Sequence, residues 1–139
     1  MSIPSGRTHD TINFVVLFFI TLFLLSSVST TQATSFAGGY LIGLFLFSPD
    51  LDTKSASYRR WGPLRYLWLP YVFLFKHRGI SHNPIVGPLL RLLYVGAFVL
   101  GITVLLKARI PSIPLTSSLF FLLGYWVPSV VHYVVDKKR

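Results

Sequence analysis

Ser35-Phe36-Ala37-Gly38-Gly39-Tyr40-Leu41-Ile42-Gly43-Leu44-Phe45-Leu46-Phe47-Ser48-Pro49-Asp50-Leu51-Asp52 is an apolar stretch that ends in a pair of carboxylates. Gly39 and Gly43 stand four residues apart with Gly38 beside them, the small-residue spacing that lets a second helix approach closely in a membrane. The apolar part alone falls short of the ~20 helical residues that cross a hydrocarbon core, and Gln32, Ala33 and Thr34 extend it by one turn. The expected span is about 32–47, with Asp50 and Asp52 just beyond its end.

Three further stretches support the same reading: about 12–28, about 89–106 and about 115–135, the last with Pro128 four residues after Gly124 as a kink site. Of the 139 residues, 53% are hydrophobic and only 12% charged, which is not the balance of a water-soluble globule. The fold expected is all-α: a single integral membrane domain of four transmembrane helices, with 48–88 as a long loop. In that loop Trp61, Tyr66, Trp68 and Tyr71 are mixed with Arg59, Arg60 and Arg65, a combination favoured at the headgroup level. An interfacial segment lying on the membrane is expected there, the alternative being a re-entrant hairpin broken at Pro70. Arg7, the first apolar run and Thr31-Gln32-Ala33 also have the order of a signal peptide. The run is longer than the usual core of ~7 to 15 residues, so an uncleaved span is preferred.

The chain has no cysteine, which excludes disulfides, thiolate metal sites and cysteine nucleophiles. Its net charge is +9, a balance that suits nucleic acid or anionic lipid. In so apolar a chain membrane lipids are the expected partner and nucleic acid is not. With four spans, Arg7, the basic residues from Lys54 to Arg78 and Lys137 to Arg139 share one side, while Lys107 and Arg109 lie on the other. Both termini and the long loop are therefore expected in the cytoplasm.

The four acidic residues are all Asp, and with the four His they form small groups: His9-Asp10, Asp50-Leu51-Asp52, His77 to His82, and His132 with Asp136. Each lies near a span end or in the long loop, and all four groups fall on the cytoplasmic side. Some of this is forced, because spans exclude charge and the outer loops are short. The pairing of imidazole with carboxylate is less trivial, since mixed nitrogen and oxygen donors suit zinc, manganese or iron. His132 and Asp136 are one helical turn apart and point to the same place. His77 and His82 flank a glycine-containing turn.

Asp10, in a first helical turn, is favoured by the helix dipole, whereas Asp50, Asp52 and Asp136 follow helix C-termini, where a carboxylate is disfavoured by roughly 0.3 to 1 kcal/mol. Some cation must compensate them. Lys137 to Arg139 could serve Asp136, and Lys54, Arg59 or Arg60 the Asp50 pair, as ordinary solvated ion pairs. That bland reading must be invoked separately for every group, whereas one or two divalent ions, zinc first, answer for all of them.

These groups resemble the signature of a family of small metal-binding membrane proteins whose near branch is common in cyanobacteria. The likeness runs through Ser5-Gly6-Arg7-Thr8-His9-Asp10, Pro49-Asp50-Leu51-Asp52, Tyr58-Arg59-Arg60-Trp61-Gly62, Leu64-Arg65, and Lys76-His77-Arg78 to Ser81-His82. The wider group, which includes the LexA-regulated membrane-bound metal-dependent hydrolases, is similar in its early Thr-His, Pro-Asp-x-Asp, His-Arg-Gly-x-[Ser/Thr]-His and late His-x-x-x-Asp. The resemblance implies metal ligands at His9, Asp50, Asp52, His77, His82, His132 and Asp136, with Asp10 at the margin.

Two functions follow as expectations. One is a metal-dependent hydrolase acting on a phosphate ester or anionic lipid headgroup, with Arg78, Lys76 and Arg7 holding the phosphate and Ser81 as an orienting donor. The other is a non-enzymatic metal-binding accessory, delivery or assembly protein, alone or as part of a homo- or hetero-oligomer. A transporter is disfavoured, because the spans are read as free of ionisable residues near the bilayer midplane.

Overall fold

A computed structural model describes residues 6–75 and 80–137; within these, the side chains of Arg7, His9, Asp52 and Lys137 fall outside the description. All the regular structure among the described residues is helical. The long helices are α1 (Gly6–Ser27), α2 (Thr30–Phe45), α5 (Val86–Leu105) and α6 (Leu115–Lys137). Two short ones, α3 (Ala56–Arg60) and α4 (Leu69–Leu74), lie between α2 and α5, together with 3-10 turns at Pro49–Asp52, Gly62–Trp68 and Ile80–His82.

A capping box separates α1 from α2. The Ser29 side chain accepts from the Gln32 N–H at 3.3 Å and the Gln32 side chain accepts from the Ser29 N–H at 3.1 Å, so the chain restarts a helix two residues after α1 stops. The two helices fold back antiparallel. The Tyr40 hydroxyl, late in α2, donates to Asn13 Oδ1, early in α1, at 2.9 Å.

The most extensive packing is between α2 and α6, which run in the same direction with their backbones in contact. A Cβ on Gly39 would stand 2.0 Å from the Phe121 carbonyl oxygen, and one on Gly43 would stand 2.5 Å from that of Tyr125. From the other side, a Cβ on Gly124 would meet the Phe36 oxygen at 2.0 Å. The Gly39/Gly43 spacing therefore does what it was expected to do, and Gly124 answers it. The helix α6 continues through Pro128.

Three helices, α1, α5 and α6, are long and apolar enough to cross a membrane. Their outer surfaces are apolar, as at Phe19 (63% exposed) and Leu105 (80%). The span expected over 32–47 is instead the 16-residue α2, about 24 Å long at 1.5 Å per residue and shorter than a ~30 Å hydrocarbon core. It ends early because Ser48 and Pro49 start a 3-10 turn. Its inward face buries Ala33, Phe36, Tyr40 and Leu44 against its neighbours.

The aromatic segment also differs from expectation. Trp68, Tyr71 and Tyr58 are buried, forming a cluster with Phe47, Leu51 and Tyr125, and the Trp61 indole donates to the Leu46 carbonyl at 2.8 Å. Edge-to-face contacts link Phe47 to Trp61, Trp68 and Tyr125 at centroid distances of 5.7, 5.8 and 5.5 Å. Of the four aromatics expected at the headgroups, Tyr66 alone is exposed. Alternation along short helices turns the others inward, and Pro70 starts α4 rather than breaking a hairpin.

The four long helices thus place the N-termini of α1 and α5 and the C-termini of α2 and α6 at one end of the bundle. In Gly39→Ala the added methyl group would meet unyielding backbone, and a detergent melt is expected to show a loss of about 1–3 kcal/mol. Gly38→Ala, with nothing within 4 Å of its Cβ, should be neutral or slightly stabilising. Equal melting of the two variants would contradict the packing described.

Candidate metal centre

Asp50 is held by its backbone. Pro49 opens the 3-10 turn and the Ser48 hydroxyl caps it, accepting from the Asp50 N–H at 3.5 Å. The Asp50 carbonyl accepts from the hydroxyls of Ser55 at 2.8 Å and Thr53 at 3.0 Å, so the turn is fixed from behind while the carboxylate faces the bundle. His132 lies in the second-last turn of α6, and His82 closes the short turn ahead of α5.

Their side chains converge. Asp50 Oδ1 is 3.6 Å from His82 Nε2 and 3.8 Å from His132 Nε2, and one donor atom from each of the three residues lies within 4.8 Å of the other two. The imidazoles sit edge to face at 5.9 Å. Both histidine side chains are largely shielded, at 15% and 11% exposure, while the Asp50 carboxylate is 39% exposed. Donors 2.0–2.2 Å from a tetrahedral ion are about 3.3–3.6 Å apart. The two Asp50–imidazole spacings fall at or within a few tenths of an ångström of that range, and all three donor atoms lie within 4.8 Å of one another. Two imidazoles and one carboxylate also leave a coordination position for water or substrate, as in open zinc sites and in two-histidine, one-carboxylate iron sites.

Asp136 Oδ2 is 3.2 Å from the same His132 Nε2, one turn along α6, which places a second carboxylate beside the cluster. Asp10 pairs with Arg60 at 3.2 Å, joining α1 to α3. Arg60 also lies over the Phe45 ring, 5.0 Å from its centroid. Arg60, one of the three cations anticipated for the Asp50 pair, therefore serves Asp10. Asp10, Arg60, Asn13, Ser57, Asp50 and His132 line a cavity of about 360 Å³ that opens beside the three-donor cluster.

Lys76, His77 and Arg78 lie outside the described residues, as do the side chains of Arg7, His9 and Asp52. The backbone of His9 is in the first turns of α1, and that of Asp52 is in the turn bearing Asp50, both at the bundle end that carries the cluster. Asn13, buried in α1, was not singled out from the sequence. Neither was Arg91, an ionisable residue inside the third expected span and fully buried. A lone Arg two residues into an apolar run was the available signal, and it corrects the reading of the spans as free of charge.

A profile of the family described as "Uncharacterized metal-binding protein (DUF2227)" matches residues 4–139. An uncharacterised protein of Aquifex aeolicus (strain VF5) is 46% identical over 61 residues, which are 43% of this chain and 43% of that protein. The match thus spans less than half of that relative. No solved structure matches the chain.

Asp10 and Asp50 make opposite predictions. The part-exposed Asp10–Arg60 pair contributes at most about 1 kcal/mol, so Asp10→Asn should melt within that margin of the parent and keep its metal content. Asp50→Asn should lose most of the bound metal. Equal metal loss in both would place Asp10 among the ligands.

Proposed function

The chain belongs to this family of uncharacterised metal-binding proteins, and we propose that Asp50, His82 and His132 hold its divalent ion at the membrane interface. The observation that carries the reading is the convergence of three donor atoms from three separate segments within 4.8 Å of one another. Zinc suits the donor set best, with manganese or iron also compatible. His9, Asp52, His77 and Asp136 would complete the shell of that ion or hold a second one.

The membrane reading rests on three helices of spanning length and on their outward apolar faces. On this reading α2 is a fourth, shorter crossing, packed against α6 and α1 with Leu41 and Ile42 left on its outer face. The bundle end bearing the cluster also receives Lys54, Arg59, Arg60 and Arg65, whereas Lys107 and Arg109 belong to the opposite end. That asymmetry favours a cytoplasmic site and cytoplasmic termini.

We further propose hydrolysis of a phosphate ester, with a lipid headgroup or lipid-linked phosphate as the substrate that most readily reaches such a depth. A bound divalent ion would supply Lewis acidity and a more acidic water. The residues do the rest. Asp136 would add a carboxylate beside His132, the cavity beside Asp50 admits a headgroup-sized ligand, and Arg60 at its wall supplies positive charge. Arg78, Lys76 and Arg7 are further candidates to hold the phosphate. The partial exposure of Asp50 favours this over a closed structural ion, and the resemblance to membrane-bound metal-dependent hydrolases points the same way.

Elemental analysis of detergent-purified protein should find about one ion per chain, falling well below that in His82→Ala and His132→Ala. Metal content below a tenth of an ion, or unaffected by either change, would contradict the site. Metal-loaded protein should release phosphate or headgroup from a panel of phospholipids and phosphate esters, and chelation should stop it. Full metal content without turnover on the panel would replace the enzyme with a delivery or assembly protein.

A further inference from the structure

Arg91 stands in the second turn of α5, and none of its side chain reaches solvent. Among the described residues no carboxylate lies within ion-pair distance of it, and its Nε makes no hydrogen bond. A guanidinium so placed is an expensive way to fill space, since an apolar side chain of similar volume avoids the desolvation entirely. What an apolar side chain lacks is a rigid fork of donors that grips two groups at once.

The fork grips the two segments that carry the clustered histidines. Arg91 Nη1 donates to the Ser81 carbonyl at 3.2 Å, one residue before His82. Nη2 donates to the Ser129 hydroxyl at 3.1 Å, three residues before His132 and on the same side of α6. Gly87 makes room for the first of these bonds, because a Cβ there would stand 2.1 Å from the Ser81 oxygen. Other ties between α6 and this segment act further along the chain. The Trp126 indole donates to the Pro84 carbonyl at 2.9 Å and the Tyr125 hydroxyl to that of Pro88 at 2.8 Å. These fix the entry to α5, while the bond to Ser81 reaches the residue adjoining His82.

We infer that Arg91 is a positioning residue for the metal centre, a buried strut that sets the separation of His82 and His132 before any ion arrives. The inference rests on the metal reading of Asp50, His82 and His132 given above. An anion-binding role fits poorly, since Arg91 is enclosed by protein and does not line the cavity beside the cluster. Lysine at this position would keep the charge but present a single point donor in place of the fork, so it separates positioning from charge.

The test uses Co²⁺ as a coloured probe of the full-length protein in detergent, reading both affinity and the visible ligand-field spectrum. Arg91→Lys, folded by circular dichroism, should bind Co²⁺ roughly 10- to 100-fold more weakly and with an altered spectrum, the size of effect seen when groups that orient ligands are removed. Ser129→Ala should move both readouts the same way by less. Tyr94→Phe, which loses a hydroxyl bonded to the Leu67 carbonyl in the aromatic cluster, should move neither, showing that the loss of a hydrogen bond elsewhere in the bundle is not the cause. If the parent protein gives no cobalt spectrum, the metal reading itself fails and the strut falls with it. If the parent binds and Arg91→Lys matches it in affinity and spectrum, the strut alone is overturned. Should Arg91→Lys not fold, a Ser129→Ala indistinguishable from the parent overturns it equally.

Discussion

Where α2 meets α6 the two backbones touch, because no side chain stands at Gly39, Gly43 or Gly124. Everything at the end of the bundle follows from that contact. It sets α2 and α6 parallel at close range, so the turn leaving α2 emerges beside the last turns of α6 and Asp50 comes within 3.8 Å of His132. A methyl group at Gly39 would have to push two main chains apart, and the carboxylate would move with them. Apolar faces of α1, α5 and α6 can meet lipid on their outer side, but α2 is short and mostly enclosed, which makes it the element that organises the others.

Electrostatics explains why the cluster needs more than packing. Asp50 follows the C-terminus of α2 and Asp136 ends α6, and both are positions where the helix dipole works against a carboxylate. The neighbouring cation, Arg60, is engaged by Asp10 on α1. Two imidazoles are among the groups that face Asp50. A divalent ion among these donors would balance the carboxylates directly, and its binding couples to the loss of any protons the imidazoles carry.

Much of this was legible in the sequence. The helical class, three helices of spanning length and the small-residue face of α2 could be read from apolar run lengths and glycine spacing, because those properties act locally. His132 and Asp136 lie one turn apart, and the structure holds them 3.2 Å apart. Less could be read where side chains chose between lipid and protein. Trp68 and Tyr71 have the composition of a headgroup belt, and only the fold shows that they pack on Phe47 and Tyr125. Asp10 was the marginal candidate among the ligands, and its pairing with Arg60 depends on residues fifty positions apart. Arg91 escaped notice because a single charge near a span end reads as an interfacial residue, although its partners lie ten and 38 positions away.

The central claim is that two imidazoles and one carboxylate from separate segments meet on one ion. X-ray absorption spectroscopy of the metal-loaded protein measures this directly. The fold predicts a first shell of nitrogen and oxygen at about 2.0–2.2 Å with outer-shell scattering from at least two histidine rings, reduced by one ring in His82→Ala. A first shell of oxygen alone, or imidazole scattering that His82→Ala leaves intact, would contradict it.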